Sequence, residues 1–252
     1  MPAAHSPDAY SFVILGGAGG IGSAVAERLV ARGWNVTIAG RTAATVNETA
    51  ARLGIRGAVV DATDSTAVEA CLGAAREAHG SLNGVANCVG SLLLKPAHLT
   101  TDAEFNEVIR TNLGSAFATV SAAARVLESG SSVVLVASAA ALAGFANHEA
   151  IAAAKAGVIG LMQSAAASYA TRNIRFNAVA PGLVRTPMTA RLTQSDASLK
   201  ASESMHALGR IGEPAHVASM IEWLLDPAND WTTGQVIAVD GGLSSVRPRT
   251  KG

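Results

Sequence analysis

Apolar residues recur along this chain with two different periods. Short β-branched runs at 11–15, 35–39, 57–60, 82–87, 132–137, 174–179 and 235–239 are apolar almost throughout rather than alternating. Continuous runs of that length predict strands covered on both faces. Between them lie alanine-rich segments of helical length at 21–32, 43–53, 65–79, 102–128, 149–171 and 214–225. Gly33, Gly54 and Gly80 each follow a helical segment, and Glu213-Pro214 opens the last one. Strands and helices alternate throughout, which predicts an α/β fold: one doubly wound, seven-stranded parallel sheet with helices on both faces and right-handed crossovers. Ligands of such sheets bind beyond the carboxyl ends of the strands, at the switch point. Chemistry-bearing residues are therefore sought just after each strand.

Composition narrows the class. Of 252 residues, 49% are hydrophobic and 15% charged, with no polar stretch long enough to serve as a linker. One domain over 1–252 is expected, with a core at about 10–245 and short flexible ends. Nineteen basic and nineteen acidic residues give zero net charge. That speaks against nucleic-acid or membrane-surface binding through bulk charge. Two cysteines, Cys71 and Cys88, make neither a disulfide framework nor a four-ligand zinc site. The first ten residues hold no Lys or Arg, and the apolar stretch at 133–146 is too short to span a bilayer. A cytoplasmic protein without membrane partners is expected.

The first strand runs into Gly16-Gly17-Ala18-Gly19-Gly20-Ile21-Gly22. Missing side chains let a backbone approach pyrophosphate closely, and the next helix presents free N–H groups and a positive dipole end. Between a strand and an amphipathic helix, this run predicts a dinucleotide site; by itself it also fits a flexible turn. An acidic residue about twenty positions on would hold a ribose 2′-hydroxyl and repel a 2′-phosphate. Here the second strand ends at Arg41-Thr42 instead. A guanidinium suits a phosphate, so NADP is expected over NAD, although Arg41 also fits a solvated surface arginine.

With these residues in place, the chain resembles the short-chain dehydrogenase/reductase family from about residue 10 to 245. Gly16-x-x-x-Gly20-x-Gly22 is similar to its glycine motif, with Leu15 where threonine is usual. Asn87-Cys88-Val89-Gly90 is similar to its Asn-Asn-Ala-Gly motif with both middle positions changed. The resemblance implies a single-domain Rossmann fold with Asp61 and the adjacent Ala62 at the adenine. It places Gly16, Gly20, Ile21, Gly22, Arg41, Thr42, Asn87, Gly90, Lys155, Pro181, Gly182, Val184 and Thr186 at the cofactor. It also implies catalytic roles for Asn112, Ser138 and Lys155.

One catalytic residue is missing. The family has a tyrosine thirteen residues after the serine and four before the lysine, and both spacings land on Ile151. A carbonyl accepting hydride needs a proton on oxygen. The phenol, with a pKa of about 10, supplies it once a neighbouring ammonium has acidified it. Isoleucine has no proton to give. Only two tyrosines exist: Tyr10 precedes the first strand, and Tyr169 lies fourteen residues past Lys155, roughly 21 Å along a helix. His148, three residues before Ile151, could stand one turn away on the same face and act as acid or base; it equally fits a solvent-facing helix start. His98, in the loop and helix start after the fourth strand, could border the substrate; it equally fits a surface residue. A relay of Lys155, water and Ser138 is a further route for the proton.

Residues 185–208 are polar, lack a strong period and fall where the family has a mobile substrate lid. Small residues, among them Gly114, Ser115, Ala152, Ala153, Gly157 and Gly160, lie on the segments that form the family's subunit interface. A homotetramer or homodimer is expected. The activity implied is hydride transfer between NADP(H) and a small-molecule carbonyl or alcohol, with an atypical proton donor. The alternatives are a nucleotide-binding chain with little or no turnover, acting as a sensor or partner, and a non-redox reaction on the same scaffold.

Overall fold

The computed structural model describes residues 10–248, so the ends expected to be flexible, and the amino-terminal stretch read for a leader, lie outside the described residues. Seven parallel strands form one sheet in the order β3-β2-β1-β4-β5-β6-β7. They are β1 (Ser11–Leu15), β2 (Asn35–Gly40), β3 (Arg56–Val59), β4 (Gly84–Asn87), β5 (Ser132–Val136), β6 (Arg175–Pro181) and β7 (Val236–Val239). The order reverses between β1 and β4, where Leu15 pairs with Asn87 on one side and Ala39 on the other. The five inner strands are covered on both faces as expected. The two edge strands are not: Val59 on β3 is 60% exposed and β7 is only partly buried.

Each face of the sheet carries its own layer of core. On one side α1 (Gly20–Ala31), α2 (Ala43–Leu53) and α9 (Pro214–Leu225) bury Val25, Leu29, Val46, Val217 and Ile221 against Phe12, Ile14 and Ile38. On the other, α3 (Ser65–His79), α5 (Ser115–Val126) and α6 (Glu149–Tyr169) pack on Val13, Leu15, Val85 and Phe176. The single helix expected at 102–128 is broken in the middle. A capping box between Thr101 and Glu104 starts α4 (Asp102–Ile109), a π-helical turn occupies Arg110–Gly114, and α5 follows. The side chain of Asn112 explains the break: its amide donates to the Val108 carbonyl at 3.0 Å and to Ser91 Oγ at 2.9 Å.

By length and composition alone, Glu149–Arg172 could cross a membrane, with a mean hydropathy of 1.4. Here it is the crossover helix between β5 and β6, with Ala154, Val158, Met162 and Ala165 buried. Its other face leaves Ala153, Ala156, Gly160, Ser164 and Ala167 exposed. Gly157, at the edge of that face, is only partly exposed: a Cβ there would sit 2.9 Å from Leu113 Cδ2, so it serves packing within the chain. The polar segment 185–208, which lacks a strong period, is largely helical: a 3-10 turn at Pro187–Thr189, then α7 (Ala190–Thr193) and α8 (Asp196–Met205). Side-chain caps at Thr186 and Ser195 replace the period that the segment lacks.

Candidate active site

The glycine turn closes tightly at the carboxyl end of β1. Gly16 has φ +72°, and a Cβ on it would come 2.9 Å from the Cys88 carbonyl carbon. A Cβ on Gly22 would come 2.2 Å from Gly16 O, so only glycine permits the helix to start so close to the strand. Gly19 is the N-cap of α1, and no side chain caps that end. The first-turn amides therefore face a cleft of about 210 Å³. Its wall brings together Gly20, Ile21, Gly22, Gly90, Asn112, Ser138, Ile151, Lys155, Pro181, Gly182, Val184 and Thr186, from helices, strand ends and loops scattered along the chain.

The cleft continues at its β2 and β3 end into a cavity of about 180 Å³ lined by Gly16, Arg41, Asp61 and Ala62. Asp61 accepts from the Thr63 amide and hydroxyl at 3.0 and 2.8 Å. Those bonds, with Arg110 and Arg41 nearby, hold its carboxyl below the usual range. Arg41 is exposed and makes no hydrogen bond or ion pair among the described residues. Thr42 is the N-cap of α2, but its side chain makes no capping bond and does not line the cavity. Asn87 is also off the wall. Buried behind it, the amide accepts from Val89 N at 2.8 Å and donates to Thr119 Oγ1 at 2.9 Å, tying the β4 turn to α5.

Around Ile151 the polar groups converge without meeting. Lys155 is buried, and its Nζ donates to the Val136 carbonyl at 2.7 Å. Burial lowers its pKa from 10.5 to about 8. The Cys88 thiol, at the same wall, is pushed up to about 12 by burial despite the attraction of Lys155. Ser138 Oγ accepts from the Ala140 amide at 3.1 Å, which leaves its hydroxyl proton available. Asn112 bonds Ser91, not Lys155, although a Cβ on Gly90 would approach both, at 2.9 Å from Asn112 Oδ1 and 3.5 Å from Lys155 Nζ. Ile151 itself is 3% exposed and joins an apolar cluster with Val108, Ala150 and Ala154. Tyr10 packs edge-on against Trp34 and Tyr169 against Phe176, both remote from the cleft.

A second chamber of about 220 Å³ opens beside the cleft and shares Ser138, Ile151, Pro181 and Gly182 with it. His148 lines this chamber and is the N-cap residue of α6. Its Nδ1 lies 2.7 Å from the Ala146 carbonyl, an acceptor, so Nδ1 carries a proton and Nε2 is the free nitrogen. His98 lines none of these three cavities. Sequence reasoning missed His206, which is buried on the chamber wall beneath Gly182. Its neighbour Asp240 is held below the usual carboxylate range although burial opposes this. Bonds from Ser244 and Gly242 outweigh the burial. A lone histidine in an unpatterned segment gives no signal; only the folding of the chain after α8 against the turn after β7 brings it there.

Known proteins share this architecture along nearly the whole chain. Residues 16–244 match the family described as Enoyl-(Acyl carrier protein) reductase. A tropinone reductase homolog of Arabidopsis thaliana is 33% identical over 240 residues, covering 92% of this chain and 91% of its own. The structure of a short-chain type dehydrogenase/reductase from Mycobacterium ulcerans superposes with a TM-score of 0.88 at 32% identity, covering 93% of this chain and 90% of that one. ElxO with NADP bound superposes with a TM-score of 0.87 at 27% identity, covering 94% and 100%. With the parallel sheet, the glycine turn and the loops gathered at the switch point, these matches establish that the chain belongs to the short-chain dehydrogenase/reductase family of oxidoreductases.

Proposed function

We propose that the chain uses NADP(H) to interconvert a small carbonyl compound and its alcohol, with a proton donor other than tyrosine. The observation that carries this reading is the wall shared by cleft and chamber at Ser138, Ile151, Pro181 and Gly182. A substrate in the chamber then abuts a nucleotide laid along the cleft. The tight approach of Gly16 and Gly22 fits a pyrophosphate against the start of α1. Asp61 and Ala62 would receive the adenosine end, Lys155 a ribose, and the 181–186 loop the carboxamide end. The unpartnered Arg41, with the adjacent Thr42, would receive a 2′-phosphate, which favours NADP. The bound dinucleotide supplies the hydride donor or acceptor.

The proton then falls to this chain's own groups. Lys155, with a pKa of about 8, is a stronger acid than the absent phenol and lies on the cleft side. His148 lies on the chamber side, where its free Nε2 can accept the proton of an alcohol and return it to the carbonyl in the reverse direction. Assembly as a homodimer or homotetramer through α5 and α6 belongs to the same proposal. It rests on the exposed small residues of α6 and on Phe117 of α5, which is 59% exposed. Ile151, which packs on Val108, Ala150 and Ala154 and has no proton to offer the cleft it lines, favours a second reading, nucleotide binding with little or no turnover. Fluorescence titration with NADPH and NADH, followed by a screen of ketones and alcohols, decides between them. Failure to bind either nucleotide overturns both readings, and binding without turnover on a broad panel favours the second.

A further inference from the structure

The chamber beside the cleft is distinguished by the charges it lacks. Its volume of about 220 Å³ exceeds the roughly 150 Å³ of an apolar protein cavity that admits benzene. It falls short of the roughly 300 Å³ at which pockets for drug-sized ligands begin. Leu92, Leu94, Phe145, Leu192, Met205 and Leu243 form much of the wall, and no Asp, Glu, Lys or Arg among the described residues lines it.

Five polar side chains line it, and three of them have their donors committed. Ser202 Oγ donates to the Ser198 carbonyl at 2.9 Å, and Thr189 Oγ1 donates to the Val184 carbonyl. His206 uses both ring nitrogens: Nδ1 donates to the Ser202 carbonyl at 2.7 Å, and Nε2 accepts from the Leu183 amide at 3.3 Å. That leaves the Ser138 hydroxyl proton and His148 Nε2. Ser138 and Leu92 stand on the wall shared with the nucleotide cleft, while Leu94, Leu192 and Leu243 line the chamber alone.

We infer that this chamber selects an uncharged carbonyl or alcohol of single-ring size, its oxygen at Ser138 and its apolar body against the leucine wall. The inference rests on the oxidoreductase reading above and adds a substrate class to it. A neutral ring gains by leaving water for such a wall. An ionised substituent would lose its hydration and find no counter-charge, which lowers affinity by about 10²-fold or more.

The test is a matched pair of ligands, a cyclohexanone bearing a para methyl ester and the same ketone bearing the free carboxylate. Calorimetry at neutral pH measures binding to the chain saturated with NADP⁺, and a separate assay follows NADPH-dependent reduction. The ester is expected to bind about 10²-fold or more tightly than the carboxylate. Met205→Arg supplies the missing counter-charge at a wall residue that is 52% exposed, so the fold is not threatened. It is expected to improve carboxylate binding about tenfold. Equal binding of the two ligands, binding of neither, or a folded Met205→Arg variant with unchanged carboxylate affinity each overturns the inference. Selective ester binding without any reduction supports the inference and counts against the oxidoreductase reading instead.

Discussion

Ile151→Tyr tests whether Lys155, Ser138 and Asn112 stand around the place of an absent phenol. Ile151 is 3% exposed within its apolar cluster. Forcing a larger ring into a filled site costs about 1–3 kcal/mol, or about 2–12 °C in Tm for a chain of this length. The residue also borders both the cleft of about 210 Å³ and the chamber of about 220 Å³, which gives the ring an open side. The stability loss is therefore expected near the lower bound. The new hydroxyl would lie one helical turn from the Lys155 ammonium, which favours its ionisation. A positioned acid contributes about 10²–10⁴ in rate, equivalent to about 2.7–5.4 kcal/mol of barrier. The assay is NADPH consumption on a broad ketone panel, after Tm and NADPH affinity show that the variant is folded and loaded. A folded, NADPH-binding variant no faster than its parent refutes the reasoning. His148→Ala in the parent then separates the causes: lost activity means that the imidazole already donates the proton, unchanged measurable activity assigns the proton to Lys155, and no activity in either protein means that the pocket is not shaped for carbonyl reduction.

Three further outcomes are expected. Arg41→Ala should lower the ratio of NADPH to NADH affinity about tenfold, the weight of one charge-assisted contact at an exposed site; an unchanged ratio removes the argument for a 2′-phosphate. Lys155 has its pKa lowered by burial from 10.5 to about 8, so between those values the folded chain binds fewer protons than the unfolded one, and stability gains as pH rises. Comparison of cofactor-free parent and Lys155→Met by denaturant titration at pH 7 and pH 10 should show the parent gaining about 2–3 kcal/mol relative to the variant; parallel curves contradict a buried, unpaired ammonium. Gly160→Glu places a charge on the outer face of α6, where a Cβ meets nothing within 4 Å, and light scattering should show smaller particles than the parent; a parent already monomeric at micromolar concentration ends the interface proposal.

Local patterns made the scaffold legible. The runs at 11–15 and 132–137 had to be inner strands because they are apolar on both alternations, and β1 and β5 are fully covered or nearly so. The glycine turn was readable because its constraint is local: Gly22 must pass within contact of Gly16, six residues away. The break at Arg110–Gly114 was not readable, since 102–128 is helical in composition throughout. A side-chain bond from Asn112 to the carbonyl one turn back, and another to Ser91, decide it. Residues 185–208 were unreadable for the converse reason: capping bonds, not periodicity, order their short helices.

The sequence by itself determined the seven strands and the family, because motif spacing and strand composition survive without coordinates, and it raised the expectation of an absent phenol at position 151. Tertiary structure decided what each candidate does there. Asn87 turned inward to hold α5, Gly157 turned onto Leu113, and Lys155 turned onto Val136. His148 and the unsuspected His206 both came to the chamber, one with a nitrogen to spare and one with none. Those differences depend on which hydrogen bonds remain unmade after the chain has packed. That is a property of neighbours distant in sequence, which no residue carries in its own identity.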